Sequence, residues 1–155
     1  MNFYDALERM TREAVEMLFR YARAVPEEKL HWRPAEHARS VIEILQENAI
    51  LPYTLQLALH ERPQTPDASL WERATQLAGD LSTLDACEQA CRKGTEALLQ
   101  AIRQLPPEAL EQTVMMPWGK PMSLFELVYD HYWNLTYHLG QIAYIQLLYG
   151  DTAFH

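Results

Sequence analysis

Apolar residues recur in alternating steps of four and three along residues 3–24: Phe3, Leu7, Met10, Ala14, Met17, Tyr21 and Ala24. Side chains three and four apart share a helix face, so the spacing predicts one amphipathic helix, ended by Pro26. Ser40-Val41-Ile42-Glu43 reads as a capping box, in which the serine oxygen accepts an orphan backbone N–H and the glutamate reaches back. It predicts a second helix to about His60, with a kink at Pro52. Ser69-Leu70-Trp71-Glu72 repeats the box and predicts a short helix. A third long helix is predicted over Leu84 to Leu105, with Cys87, Cys91, Gly94 and Leu98 along its apolar stripe and Pro106-Pro107 as its stop. The turn-rich stretch from Met116 to Pro121 leads to a third box, Ser123-Leu124-Phe125-Glu126, and a last helix to about Tyr149, stopped at Gly150.

No segment sustains a period of two, so the chain reads as a single all-α four-helix bundle domain over residues 1–155. Roughly 15, 20 and 17 residues separate the long helices, more than the 2–8 typical of up-down-up-down bundles. Connections of that length can cross the bundle, so consecutive helices need not be antiparallel neighbours.

The composition narrows the function. Lys and Arg total 13 against 21 Asp and Glu, so the formal charge is 13 − 21 = −8. With no Lys/Arg cluster, that balance argues against gripping a nucleic-acid backbone. No apolar run approaches the ~20 residues of a membrane-spanning helix. The N-terminal residues lack the basic-then-apolar layout of a signal peptide, which predicts a cytoplasmic protein. The five glycines form no GxGxxG, GxxxxGK[ST] or GxSxG pattern, and HExxH is absent. Cys87 and Cys91 lie in an apolar stripe and are expected to act as small hydrophobes. Trp32, Trp118 and Trp133 are expected to pack rather than to cage a ligand, and His31, His37 and His60 to lie exposed near helix ends.

The last helix carries the anomaly. It is apolar on nearly every side, through Phe125, Val128, Tyr132, Trp133, Leu135, Ile142 and Leu147, which predicts burial. Yet His131, Asn134, His138 and Gln141 fall at 3-4-3 spacing on one face. Buried polar groups need partners: another helix's polar groups, water, a metal or a ligand. Glu47 and Asn48 interrupt the apolar run of the second helix and supply a counterpart, although periodicity does not decide which of the two faces inward. An interior Glu47–His138 pair would lower the glutamate pKa and raise that of the histidine, with desolvation opposing both. His131 lies about 10.5 Å along the axis from His138, too far to share one ion with it.

The segment Asn134-Leu135-Thr136-Tyr137-His138-Leu139-Gly140-Gln141-Ile142 resembles the C-terminal signature of the DinB/YfiT-like superfamily, usually HxxxHxGQI. Trp32-Arg33-Pro34, the segment from Ser40 to Glu47, and the Pro117-Trp118-Gly119 turn also resemble that family. The resemblance implies an up-down-down-up bundle, a divalent metal (zinc or nickel) on three histidines, and a common tendency to form dimers. Some relatives are thiol-dependent transferases or hydrolases. Here the family's second-helix histidine falls on Glu47 and the first histidine of the pair on Asn134, leaving only His138. An amide is a poor ligand for zinc or nickel, whereas a carboxylate is acceptable. The expectation is therefore a degraded centre of Glu47, Asn134 and His138, with His131, Gln141 and Asn48 lining the pocket and metal binding weak or absent. A homodimer that binds a small molecule or thiol follows from this, with a metal-dependent transferase or hydrolase as the alternative.

Overall fold

The computed structural model describes residues 2–155. Four long helices, α1 (Phe3–Arg23), α2 (Val41–Glu61), α4 (Leu84–Arg103) and α5 (Leu124–Leu148), form the bundle, and the short α3 (Ser69–Ala78) packs on α2. Asn2, Ser40, Thr83 and Ser123 cap the four long helices, and Ser40 and Ser123 form the expected boxes with Glu43 and Glu126. The box expected at Ser69 does not form. Ser69 is already helical, and its N–H bonds to the Asp67 carboxylate (2.9 Å), a side chain two residues nearer the loop.

Contacts between ends fix the direction of each helix. Phe3 stacks on Phe125, and the Gln146 amide donates to the Tyr21 carbonyl, so α1 and α5 run parallel. Arg103 pairs with Asp5 and Glu8 while Arg23 pairs with Asp85 and Glu88, so α4 is antiparallel to α1. Gln46 donates to the Leu81 carbonyl and the Tyr53 hydroxyl to the Ala90 carbonyl, which makes α2 parallel to α4. The course is up-down-down-up, as the long connections allow.

The α1 core is centred on Leu7, Thr11, Ala14, Leu18 and Ala22, whereas Met10 and Met17 are half-buried at its edge and Phe3 is exposed. One small element escaped the periodicity. Thr113–Met115 pairs antiparallel with Pro121–Ser123 as a hairpin, β1 and β2, closed by a turn in which Gly119 has φ +80°. Three residues per strand give no alternation to read. The larger correction concerns α5. Its inner face is buried, but Phe125, Tyr129, Trp133, Tyr137, Tyr144, Leu147 and Leu148 are all 40–62% exposed. Among the described residues, no helix is long and apolar enough to cross a membrane.

Helix α2 runs through Pro52, and Gly94 of α4 packs against it there. A Cβ on Gly94 would lie 2.7 Å from Tyr53 Cε2 and 2.9 Å from Pro52 Cγ. The glycine thus lets the two helices approach. Gly94→Ala gains about 1 kcal/mol of helix propensity but overpacks a contact worth about 1–3 kcal/mol, so a net loss of stability is expected in urea denaturation. A stabilised variant would show that the contact yields freely.

Candidate functional site

The site lies where α2 and α5 face each other. Helix α5 turns Asn134 and His138 inward one turn apart, and α2 presents Glu47 and Asn48 to them. Both α2 residues therefore reach His138. Asn48 is fully buried, and Glu47 is half-buried.

A fifth side chain completes the group. Arg39 lies just before the Ser40 cap, in a loop pinned by the Arg33–Glu43 ion pair and by the Ile42 N–H donating to the Leu30 carbonyl. Its guanidinium forms an ion pair with Glu47, and its Nη2 lies 2.7 Å from His138 Nε2. Glu47 Oε1 itself is 3.7 Å from His138 Nε2. The expected Glu47–His138 proximity exists, but the arginine stands in contact with both partners.

These contacts assign the imidazole protons. A guanidinium has only donors, so His138 Nε2 carries the lone pair and the proton resides on Nδ1. Nδ1–H donates to Asn134 Oδ1 (3.1 Å), and Asn134 Nδ2 donates to Glu47 Oε1 (3.2 Å). Asn48 Nδ2 donates to the Ile44 carbonyl but also sits 2.8 Å from Nδ1, an unfavourable donor–donor contact in this tautomer. Its Oδ1 is buried without a partner, and Pro52 has no N–H to offer its carbonyl. Asn48 is the strained member of the network.

The electrostatics follow. Burial, reinforced by Arg39 and opposed by Glu47, pushes the His138 pKa down to about 4. The rise that pairing alone would produce is overturned by desolvation and by the arginine charge. Glu47 pays a desolvation penalty but is held below the usual range by Arg39, His138 and Asn134. Asp130, one turn before Asn134, is raised by burial to about 6, with the Lys120 charge acting the other way.

The other expected lining residues go elsewhere. His131 is buried one layer away between α5 and α4, where Nε2–H donates to Thr95 Oγ1 (2.8 Å), whose own hydroxyl donates to the Cys91 carbonyl. Its Nδ1 has no partner, and burial lowers its pKa to about 3. Gln141 is half-buried and lines a cavity of about 550 Å³ together with Arg39, Tyr137 and Tyr144. Cys87 and Cys91 are buried free thiols, pushed up to about 11 and about 12 by desolvation. His31, His37 and His60 are exposed, as expected.

On the opposite side of the network lies a larger cavity of about 700 Å³, walled by Trp71, Trp118 and Trp133 with Glu47 and Asn134 on its inner side. Trp118 and Trp133 are half-exposed there, so they are not the packing residues expected; of the three, Trp32 packs internally, against Tyr149. Arg39, Trp71 and Asp130 were given no site role by the sequence: Arg39 lies in a loop, where no periodicity assigns a face, and the other two lie on helices whose pattern does not show which face borders a cavity.

A metal does not fit these donors. The Nε2 lone pair and the Glu47 carboxylate, the two competent ligand groups, both face a guanidinium, and Asn134 spends its amide on Glu47 and His138. Among the described residues, no three His, Cys, Asp or Glu side chains are grouped to hold an ion.

The fold has solved counterparts. YfiT from Bacillus subtilis, described as a probable metal-dependent hydrolase with an unusual four-helix bundle topology, superposes with a TM-score of 0.74 at 12% identity, covering 97% of this chain and 90% of that one. The mycothiol-dependent maleylpyruvate isomerase and a point mutant of it superpose at 0.62 and 15% identity, covering 91% of this chain. This chain spans only 61% of the isomerase. No family model and no curated protein matches the sequence. The chain has the four-helix-bundle fold of YfiT.

Proposed function

We propose that this protein is a metal-free variant of the DinB-like bundle, which binds a small organic molecule in the tryptophan-walled cavity. The observation that carries the reading is the Arg39 guanidinium, which engages Glu47 and His138 Nε2, the groups a metal would need. The protein supplies its own cation, and that cation cannot activate water as a divalent ion does. Cavities of this size, apolar-walled with a few convergent polar groups, are typical of small-molecule sites. Calorimetric titration with zinc and nickel tests the first half: no tight stoichiometric binding is expected. Tight binding abolished by His138→Ala would restore a metal-dependent hydrolase or transferase.

The open face of α5 supports a second copy of the chain as partner. Phe125, Tyr129, Trp133, Tyr137, Tyr144 and Leu148 form a ladder about 35 Å long at 1.5 Å per residue. From His131 to Leu148 the helix carries no Asp, Glu, Lys or Arg, so this is where two chains of charge −8 can approach without repulsion. The five half-exposed aromatic side chains offer roughly 375–625 Å², to which Leu148 adds, approaching the ~800 Å² per partner of a stable interface. Sedimentation equilibrium should give a dimer, and Tyr137→Glu with Tyr144→Glu a folded monomer. A monomeric natural protein at high concentration would remove the dimer.

A further inference from the structure

The geometry points to an organic cation, an alkylammonium or quaternary ammonium group, as the ligand of the tryptophan-walled cavity. The inference rests on the ligand-pocket reading above and narrows its chemistry. Three indoles, Trp71 from α3, Trp118 from the hairpin turn and Trp133 from α5, line one cavity. Indole has the strongest π-face attraction for cations among the side chains, and aromatic enclosures are the recurrent means of holding quaternary ammonium groups.

The charges agree. Four charged side chains line the cavity, one each from α2, α3, the hairpin and α5: Glu47, Glu72, Lys120 and Asp130. Arg39 already balances Glu47. That leaves Glu72 and Asp130 against Lys120, an excess of negative charge facing the indoles. The open inner acceptor is the Asp130 carboxylate, since Glu47 is engaged by Arg39 and Asn134, and Asn134 has committed its amide to the network. An unpaired carboxylate on the inner side and three indoles among the walls suit a positively charged head, whereas a neutral apolar guest would desolvate Asp130 without giving it a partner. Lys120 and Glu72 are both exposed and screened alike, so half-buried Asp130 is the charge that sets the sign of the cavity.

Three probes of one shape separate the alternatives: choline, its neutral carbon isostere neohexanol, and the anion tert-butylacetate. The readout is the indole N–H resonance of each tryptophan, with Trp32, which packs on Tyr149 away from the cavity, as internal control. Choline should shift Trp71, Trp118 and Trp133 but not Trp32, and bind at least about tenfold more tightly than neohexanol. Trp118→Ala, at an exposed position, should weaken choline without unfolding the chain. Asp130→Asn should weaken choline several-fold and leave neohexanol unchanged. Because Asp130 takes up a proton near pH 6, choline affinity should fall from pH 7 to pH 5 in the natural chain and much less in the Asp130→Asn variant. Equal or tighter binding of neohexanol, or preference for tert-butylacetate, would overturn the cation inference while the ligand pocket stands. Failure of all three probes to shift the cavity indoles would overturn both.

Discussion

Acidification from pH 6.5 to pH 4 should strip several kcal/mol from the stability of this protein, because the fold holds two histidines neutral that the unfolded chain protonates. His131 and His138 titrate at about 3 and about 4 in the folded state, against 6.5 for the free side chain. A depressed histidine pKa leaves stability intact above 6.5 and removes it as pH falls toward the folded value. Over that window each excess proton on the unfolded chain costs on the order of 1 kcal/mol per pH unit. Asp130 acts in the opposite sense: its carboxyl, raised from 3.8 to about 6, is protonated in the fold while the unfolded chain still ionises it. From pH 6 to pH 4 one of the two losses is thus offset, and one uncompensated proton remains. Below pH 4.5 the lowered carboxylates Glu43 and Glu47 add further losses. Against a typical total of 5–15 kcal/mol, the sum is large. Urea midpoints at pH 7.5, 5.5 and 4.5 measure it, and His131→Met should flatten the slope by about one proton. A midpoint indifferent to pH would show that the buried imidazoles are protonated without cost.

The helices were legible because their signals are local. Ser40 and Ser123 announce their helices through a glutamate three residues on, and Gly150, with φ +93°, and Pro106 mark the stops. The inward turn of Asn134 and His138 was legible from spacing alone, since residues four apart must share a face. The depth of α5 was not: an all-round apolar pattern predicts burial, yet one aromatic face stays open. Periodicity measures the contrast between faces, and α5 has little contrast to measure. Arg39 was invisible for a different reason. It precedes its helix, eight residues from Glu47 and 99 from His138, and only the path of the loop brings its guanidinium to them.

Installing the ligand set that the sequence resemblance implies should separate the weight of the donors in metal affinity from that of Arg39. Glu47→His with Asn134→His places three imidazoles at the α2–α5 interface, two of them one helical turn apart, which is the spacing that lets them converge on one ion. The arginine would still lie against His138 Nε2. A divalent ion about 4 Å from a guanidinium is repelled by about 8 kcal/mol at an effective dielectric near 20, although Arg39 is 39% exposed and can swing outward to relieve most of that. The double variant should therefore bind zinc and nickel only modestly. Adding Arg39→Ala should tighten binding by about a hundredfold or more, and Arg39→Ala alone should gain little, because Glu47 and His138 are only two ligands. Calorimetry on the four proteins separates the contributions. If the double variant binds as tightly as the triple, the donor set alone explains the lost metal and the arginine is incidental. A wide gap between them would identify the Arg39 guanidinium, held in the loop before α2, as a group that keeps a divalent ion out of this site.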